Sequence, residues 1–320
     1  MQFKLEDQIS KTAVELAYIY LLGRQVESNE SLISASNSGI TIAEYRNQIM
    51  ISEEYHNNVA RDTAINFYIK NQTLDLKDFI LKKIDKANNI DSPSKTDIII
   101  MQTCDNQRYP VLLNISEKYN REYAQLWNID YLSYRGIRKG CYPHHATFNR
   151  IFMLHDLLIT GYQGWVLYID ADAIILDKNY DIKDKLRILR ANEQCFWMHN
   201  VFSEEDERFE WYHINIGVFA IDLGSVVARR VIEIWKGIYD NFYSKADFKQ
   251  AKNWMDILDD QSSLIRILKL GDLKKFICLE RLQDFFVYQA LRSQGESISA
   301  DQEILYRSNS LEKKGKQVYG

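Results

Sequence analysis

Residues 165–177 read Trp-Val-Leu-Tyr-Ile-Asp-Ala-Asp-Ala-Ile-Ile-Leu-Asp, an apolar run that ends in two aspartates two positions apart. Five consecutive apolar or aromatic residues of high strand propensity predict a buried strand, of the kind that lies in an α/β sheet covered by helices. Side chains alternate along an extended chain, so Asp170 and Asp172 are expected on one side of it. They stand at the strand's end, where open α/β sheets bind their ligands. With little nearby in sequence to neutralise them, two carboxylates there suit a hard divalent cation with oxygen ligands, which can in turn hold a diphosphate. The plainer reading is a pair of acids that ends a strand and begins a turn.

Length sets the frame for this strand. A chain of 320 residues with 46% hydrophobic side chains can form one large domain, or one of ordinary size with an appendage. The net charge of −4 comes from well-mixed signs, and the only dense basic stretch is the tail Lys313-Lys314-Gly-Lys316, which argues against nucleic acid as a partner. No apolar segment approaches the roughly 18 residues of a spanning helix, and Met-Gln-Phe-Lys-Leu-Glu-Asp at the start lacks the layout of a signal peptide. The expectation is a soluble protein, cytoplasmic or peripheral to a membrane, with no transmembrane segment. Cys104, Cys141, Cys195 and Cys278 have no paired spacing, so neither a zinc site nor a disulfide framework is indicated.

The first ninety residues differ from the rest. Ala13, Val14, Ala17, Tyr18, Leu21 and Leu22 form a helical apolar face that stops at Gly23, a natural residue just past a helix end. Thr41-Ile-Ala-Glu44 fits a capping box that opens another helix. From Asp62 to Ala87 further apolar positions suggest more helix, ending in the polar stretch 88–96, which reads as a boundary. The organisation expected is a helical module over 1–60, a helical linker over 61–96 and an α/β domain over 97–320.

The α/β pattern opens with Asp97-Ile-Ile-Ile-Met-Gln-Thr-Cys104, a first buried strand followed by Asp105-Asn-Gln as a binding loop. After a polar, aromatic-rich stretch over 118–131, Ile151, Leu154, His155 and Leu158 mark a helix face that leads into the Asp170 strand. Residues 211–222 read as a second, glycine-marked strand that carries Asn215 and Gly217 and ends in Asp222. Asp259-Asp260-Gln261 follows at the start of a helix.

In this order the motifs resemble those of a glycosyltransferase of the GT-A fold, a Rossmann-like mixed sheet flanked by helices, here with an all-α N-terminal module. The closest echo is the galactosyltransferase and xylosyltransferase group acting on galactomannan and xyloglucan, with bacterial relatives. The resemblance covers roughly residues 97–295 and rests on short motifs whose order and spacing agree. It implies that Asp172 coordinates Mn2+ (or Mg2+) directly and that Asp170 serves the metal and reaches ribose or sugar hydroxyls. It also implies that Thr103, Cys104 and Asp105 border the base of a nucleotide-sugar donor, UDP-linked by the same resemblance, and that Arg150 approaches that donor. Asn215 and Gly217 would lie along the donor sugar, and Asp260 and Gln261 would flank the anomeric carbon as the catalytic pair. The acceptor would be a glycan or other hydroxyl compound in cell-envelope or exopolysaccharide synthesis. Separately, Tyr20-Leu-Leu-Gly-Arg24 and Met50-Ile-Ser-Glu-Glu-Tyr55 resemble a small helical bacterial module found beside catalytic domains, which implies packing or docking of a protein partner.

Chemistry follows from charge. Breaking a bond between sugar and diphosphate leaves negative charge that a metal stabilises as a Lewis acid, with Arg150 or Lys274 as added cations. Asp260 would assist deprotonation of the acceptor in an inverting site, or support the oxocarbenium-like centre with Gln261 in a retaining one. The chain departs from the fold's common pattern by having no histidine after His213, which leaves Gln289 as a residue to look for near the metal.

Blander readings stand beside these. His155 suits a satisfied core position, His144 and His145 a solvated turn after Pro143, and His199 and His213 packing among aromatics. Asp222 can cap its strand, Asn215 can bond its own backbone, Arg150 can pair on a solvated helix face, and Asp259 can serve the helix dipole. Two other functions share the aspartate pair: a phosphatase of the haloacid dehalogenase type, with Asp170 as nucleophile and Asp172 as acid/base, and a degenerate domain that binds a sugar nucleotide without turnover. A calcium loop fits poorly, since Ile175 and Asp181 stand where glycine and glutamate belong.

Overall fold

The computed structural model describes residues 4, 7–22, 26, 28–50, 52–84, 98–201, 210–282, 286–290 and 299–320. The polar stretch 88–96 and the position of Gly23 lie outside these residues. Helices α1 (Lys11–Ala17), α2 (Asn29–Ser36) and α3 (Ile42–Met50) pack around Ile9, Ala13, Val14 and Leu32. The capping box at Thr41 forms as its sequence predicts: the Glu44 N–H donates to the Thr41 hydroxyl at 3.2 Å and the Thr41 N–H to the Glu44 carboxylate at 2.8 Å. Helix α4 (Glu53–Ile84) runs on through 32 residues. Its Ile65 and Ile69 are fully buried in the same core as the sheet, and Arg61 reaches Asp247 at 2.7 Å.

The rest is a six-stranded mixed sheet flanked by helices, as the pattern of the sequence predicts. In chain order the elements are β1 (Ile98–Cys104), α5 (Pro110–Leu126), β2 (Asp130–Arg135), α6 (Asn149–Ile159), β3 (Trp165–Ile169), β4 (Ala173–Ile175), α7 (Ile182–Ala191), β5 (Phe196–Asn200) and β6 (Ile214–Asp222). There follow α8 (Val226–Asn241), α9 (Lys245–Gln250), α10 (Asp260–Leu270), β7 (Ile277–Glu280), β8 (Val287–Gln289) and α11 (Ala300–Tyr319). The sheet order is β2-β1-β3-β6-β5-β7. Strands β2, β1 and β3 are parallel, β6 is antiparallel to β3 and β5, and β7 is parallel to β5.

Burial explains the composition of the strands. Every residue of β1 and β3 is buried, because helices cover both faces of the sheet. On one face α6, α8 and α10 contribute Leu154, Val231, Trp235 and Leu264, and on the other Leu186, Tyr123 and Phe286 close over Leu167 and Ile169. Each large apolar side chain so buried contributes about 1.5–3 kcal/mol relative to exposure. Strands β4 and β8 form a small antiparallel ribbon in which Ala173 faces Gln289. That ribbon begins one residue after Asp172 and sets Gln289 beside the end of β3. Among the described residues no helix is long and apolar enough to cross a membrane.

Candidate active site

Strand β3 stops at Ile169, and Asp170, Ala171 and Asp172 form a tight turn closed by the Ala173 N–H on the Asp170 carbonyl at 3.1 Å. The two aspartates therefore do not share a side by strand alternation, as the sequence suggests. They converge because the turn folds back into β4. A buried polar network fixes that turn. Gln102 donates to the Asp170 carbonyl at 2.9 Å, the Ser116 hydroxyl to the Ala171 carbonyl at 2.7 Å, and Asn120 to the Ala173 carbonyl at 3.0 Å. Asn120 also donates to Gln102 at 2.9 Å, and all three side chains are fully buried. Buried polar groups of this kind cost stability unless paired, and here each donates to a backbone carbonyl of the turn.

The carboxylates are then divided among four side chains. Asp170 Oδ1 accepts from Arg150 Nη2 at 3.0 Å and from the Tyr168 hydroxyl at 3.1 Å. Asp170 Oδ2 and Asp172 Oδ1 both accept from Gln289 Nε2, at 3.2 and 3.1 Å. Asp172 Oδ2 is ion-paired with Arg307 Nη2, which comes from α11. Arg307 is itself held by the Ala290 carbonyl on Nε at 2.7 Å and by the Tyr109 hydroxyl on Nη1 at 2.9 Å. Gln289 thus bridges the two carboxylates.

Arg150 is the second hub. Its Nη1 donates to the Ile216 carbonyl at 2.6 Å, its Nε lies 2.9 Å from Asp260 Oδ2, and its guanidinium stacks 4.3 Å from the Tyr168 ring centroid. It is no solvated surface residue, being 6% exposed. Burial works against its charge, yet Asp260 and Asp170 hold it protonated above its ordinary range. Burial likewise pushes the Asp260 carboxyl up to about 6, against the pull of Arg150. Asp260 is 2% exposed, so it supports Arg150 from behind instead of facing open space. Gln261, one residue on and half-buried, accepts from the Ile216 N–H at 3.2 Å.

Asn215 bonds the Gly217 N–H at 2.7 Å, the local turn that its plainer reading describes. Gly217 accepts from the Asp170 N–H at 2.7 Å, and a Cβ there would lie 2.8 Å from Asp170 Oδ2 and 3.1 Å from Gln289 Nε2. Glycine is required for the β6 backbone to come this close to the aspartate pair.

At the end of β1, the Thr103 hydroxyl accepts from Asn149 at 2.8 Å and Cys104 is buried, its thiol pushed up to about 12 by burial. Asp105 accepts from the N–H groups of Gln107 at 2.7 Å, of Arg108, and of Tyr109 at 3.2 Å. It orders the loop between β1 and α5. Asp222 lies at the far end of β6, where Arg190 binds it at 2.7 and 2.6 Å, and Lys274 precedes β7 at that same remote end of the sheet. His199 and His213 are buried, and His155 is half-buried on α6.

Among the described residues no three His, Cys, Asp or Glu side chains are placed to hold a metal together. The donor set still suits a hard cation: two carboxylate oxygens converge on one point, beside an amide whose rotation offers a third oxygen. Sequence reading located Asp170, Asp172, Arg150, Gly217 and Gln289. It missed Arg307, Tyr109 and the Gln102–Ser116–Asn120 network. A glutamine inside the apolar run of β1 is the one local sign of that network, and nothing local marks Arg307.

No family model matches the chain, and no curated protein matches it. A glycosyltransferase involved in the glycosylation of the major capsid of PBCV-1 superposes with a TM-score of 0.45 at 12% identity, over 68% of this chain and 99% of that one. The bifunctional glycosyltransferase WbbM gives 0.33 at 9% identity, over 71% of this chain and 52% of that one. A197 from STIV gives 0.26 at 12% identity, over 43% and 68%. Likenesses this distant carry no argument for an activity, and the chemistry rests on the site itself.

Proposed function

We propose that this chain is a metal-dependent glycosyltransferase that moves a sugar from a nucleotide-diphosphate donor, UDP-linked, to the hydroxyl of a glycan or other acceptor. The observation that carries the reading is the convergence of Asp170 Oδ2 and Asp172 Oδ1 on a single point beside Gly217, at the carboxyl end of β3. Among the described residues, the ion pairs of Asp170, Asp172 and Asp260 are with Arg150 and Arg307, three carboxylates against two guanidinium groups. A cluster with excess negative charge repels a diphosphate unless a further cation joins it. Asp170 Oδ2, Asp172 Oδ1 and the Gln289 amide oxygen, once rotated inward, would hold that cation.

When bound, the metal supplies Lewis-acid stabilisation of the diphosphate leaving group. The protein's own share is positioning. Arg150 orients Asp170, Asp260 fixes Arg150, and Arg307 restrains Asp172, so neither carboxylate must reorganise when the donor arrives. Gln261, with its oxygen committed to Ile216, has its Nε2 as donor toward a sugar hydroxyl. Thr103, Cys104 and Asp105 border the nucleotide side, with Asp105 acting through the loop whose N–H groups it accepts. Asp172 is 6% exposed and ion-paired, a poor placement for the acid/base of a phosphatase.

Calorimetry with UDP- and GDP-sugars, with and without Mn2+, tests this on wild type and Asp172→Asn, a variant that keeps a hydrogen bond to Arg307. Metal-dependent binding of one nucleotide sugar, lost in the variant, is expected. Binding that ignores both metal and variant would overturn the metal assignment, and no binding by folded wild type would overturn the donor.

A further inference from the structure

Glycine weakens a helix interior relative to alanine, yet α11 carries Gly315 well inside its last two turns. The reason is its neighbour on α5. A Cβ on Gly315 would lie 2.1 Å from Cε2 and 2.3 Å from Cζ of Tyr119. That ring has little room to swing aside, because Tyr119 is 2% exposed, stacks on Tyr319 with centroids 5.6 Å apart, and donates its hydroxyl to Glu312 at 3.1 Å. Arg307, Leu311 and Gly315 recur every four residues along one face of the helix, and all three are buried. Leu311 packs with Leu112 and Tyr119 of α5, Ile174 of β4 and Ala290.

Both helices that meet there also hold the aspartate turn and the strand after it. On α5, Ser116 and Asn120 stand on either side of Tyr119 in sequence and bind the carbonyls of Ala171 and Ala173. Asn120 Oδ1 also accepts from the Ile175 N–H at 2.9 Å, so one side-chain amide pairs with β4 as a neighbouring strand would. On α11, Arg307 binds Asp172, and the Tyr319 hydroxyl donates to the Ile175 carbonyl at 3.0 Å. Buried backbone groups are costly without such partners, so β4 and the turn before it depend on both helices being docked. Gly315 stands about 12 Å along α11 from Arg307.

We infer that the contact between Gly315 and Tyr119 is a remote positioning element for the aspartate pair. It seats α11 at the depth that brings Arg307 onto Asp172 and Tyr319 onto Ile175, and thereby sets the affinity of Asp170 and Asp172 for a divalent cation. The part concerning the cation rests on the metal-dependent reading of the site. A larger side chain at position 315 overpacks the contact and lifts the helix off α5. Arg307 then moves away from Asp172, whose Oδ1 is one of the two oxygens that converge beside Gln289. Affinity falls because the carboxylate must be ordered at the moment of binding.

Gly315→Ala tests this, with Mn2+ affinity by calorimetry and hydrogen exchange of residues 170–175 as the two readouts. In the variant, folded by circular dichroism, Mn2+ is expected to bind at least tenfold more weakly and the amides of Ala173 and Ile175 to exchange at least tenfold faster. Combining it with Tyr119→Leu makes room for the new methyl, and both readouts are expected to return most of the way to those of Tyr119→Leu alone. Wild-type values of both in folded Gly315→Ala overturn the inference, and so does a loss that Tyr119→Leu fails to relieve. Tyr319→Phe removes one hydroxyl and no packing, so it decides the matter if Gly315→Ala does not fold: faster exchange over 173–175 is expected, and unchanged exchange overturns the inference. A wild type that binds no Mn2+ overturns the metal reading, while the exchange of residues 170–175 still decides whether Gly315 positions the turn.

Discussion

Arg307 closes on Asp172 across 135 positions of sequence, and both side chains are almost fully buried. A buried pair of this kind contributes little over an apolar substitute, but losing one partner strands the other's charge. Arg307→Ala should therefore destabilise the fold by roughly 3–5 kcal/mol. Arg307→Lys keeps the charge but not the fork that also reaches Ala290 and Tyr109, and should fall between the two. Urea unfolding of the three proteins checks the order, and an unchanged midpoint in Arg307→Ala would contradict it.

Gly217→Ala tests the close approach of β6 to the aspartates. With a Cβ placed 2.8 Å from Asp170 Oδ2, either the carboxylate or the strand must move. Overpacking of this kind costs about 1–3 kcal/mol. Donor affinity should drop as well, because the displaced oxygen is one of the two that converge. Thermal unfolding and calorimetry report the two effects separately.

Asp260 sets a pH dependence. Its folded pKa, about 6, stands above the ordinary 3.8 because the carboxyl is buried. The folded state therefore holds a proton that the unfolded chain has released between these values. The associated stability is complete below the unfolded pKa and is lost as pH rises through about 6. Asp260→Asn also loses the Arg150 pair, so the informative quantity is the slope of stability against pH. Between pH 4 and 7 wild type should fall relative to the variant, and parallel slopes would show that Asp260 does not titrate there.

Asp105 separates loop ordering from ligand contact. Asp105→Ala removes the acceptor for three backbone N–H groups in the loop before α5 and should cost about 1–3 kcal/mol, as leaving paired polar groups without their partner does. Asp105→Asn, which can still accept, should recover most of that stability and retain nucleotide binding. Loss of binding in a stable Asp105→Asn would instead indicate direct contact with the base.

What could be read from the sequence depended on range. The strands at Ile98–Cys104 and Trp165–Ile169 are continuous apolar runs, and the Thr41 capping box is complete within four residues, so local pattern suffices for each. The aspartate pair was visible for the same reason, yet its geometry was not. The turn that aims Asp170 and Asp172 depends on Gln102, Ser116 and Asn120 from other elements. Helix α5 was read only as an aromatic-rich stretch, because Tyr119 and Tyr123 bury alongside the polar Ser116 and Asn120, which blurs its apolar face. Asp260 was legible as a candidate but not as a buried residue, since its burial depends on elements distant in sequence, Arg150 of α6 among them.

The ribbon of β4 and β8 has a consequence for the order of assembly. Asp172 is made in the middle of the chain, whereas the groups that compensate it, Gln289 and Arg307, are made more than a hundred residues later. A nascent chain that has completed β1, β2 and β3 has Arg150 for Asp170 but no partner yet for Asp172. Only when the last helix docks does the aspartate turn become electrostatically settled, so competence for ligand should be among the final properties the polypeptide acquires as it folds.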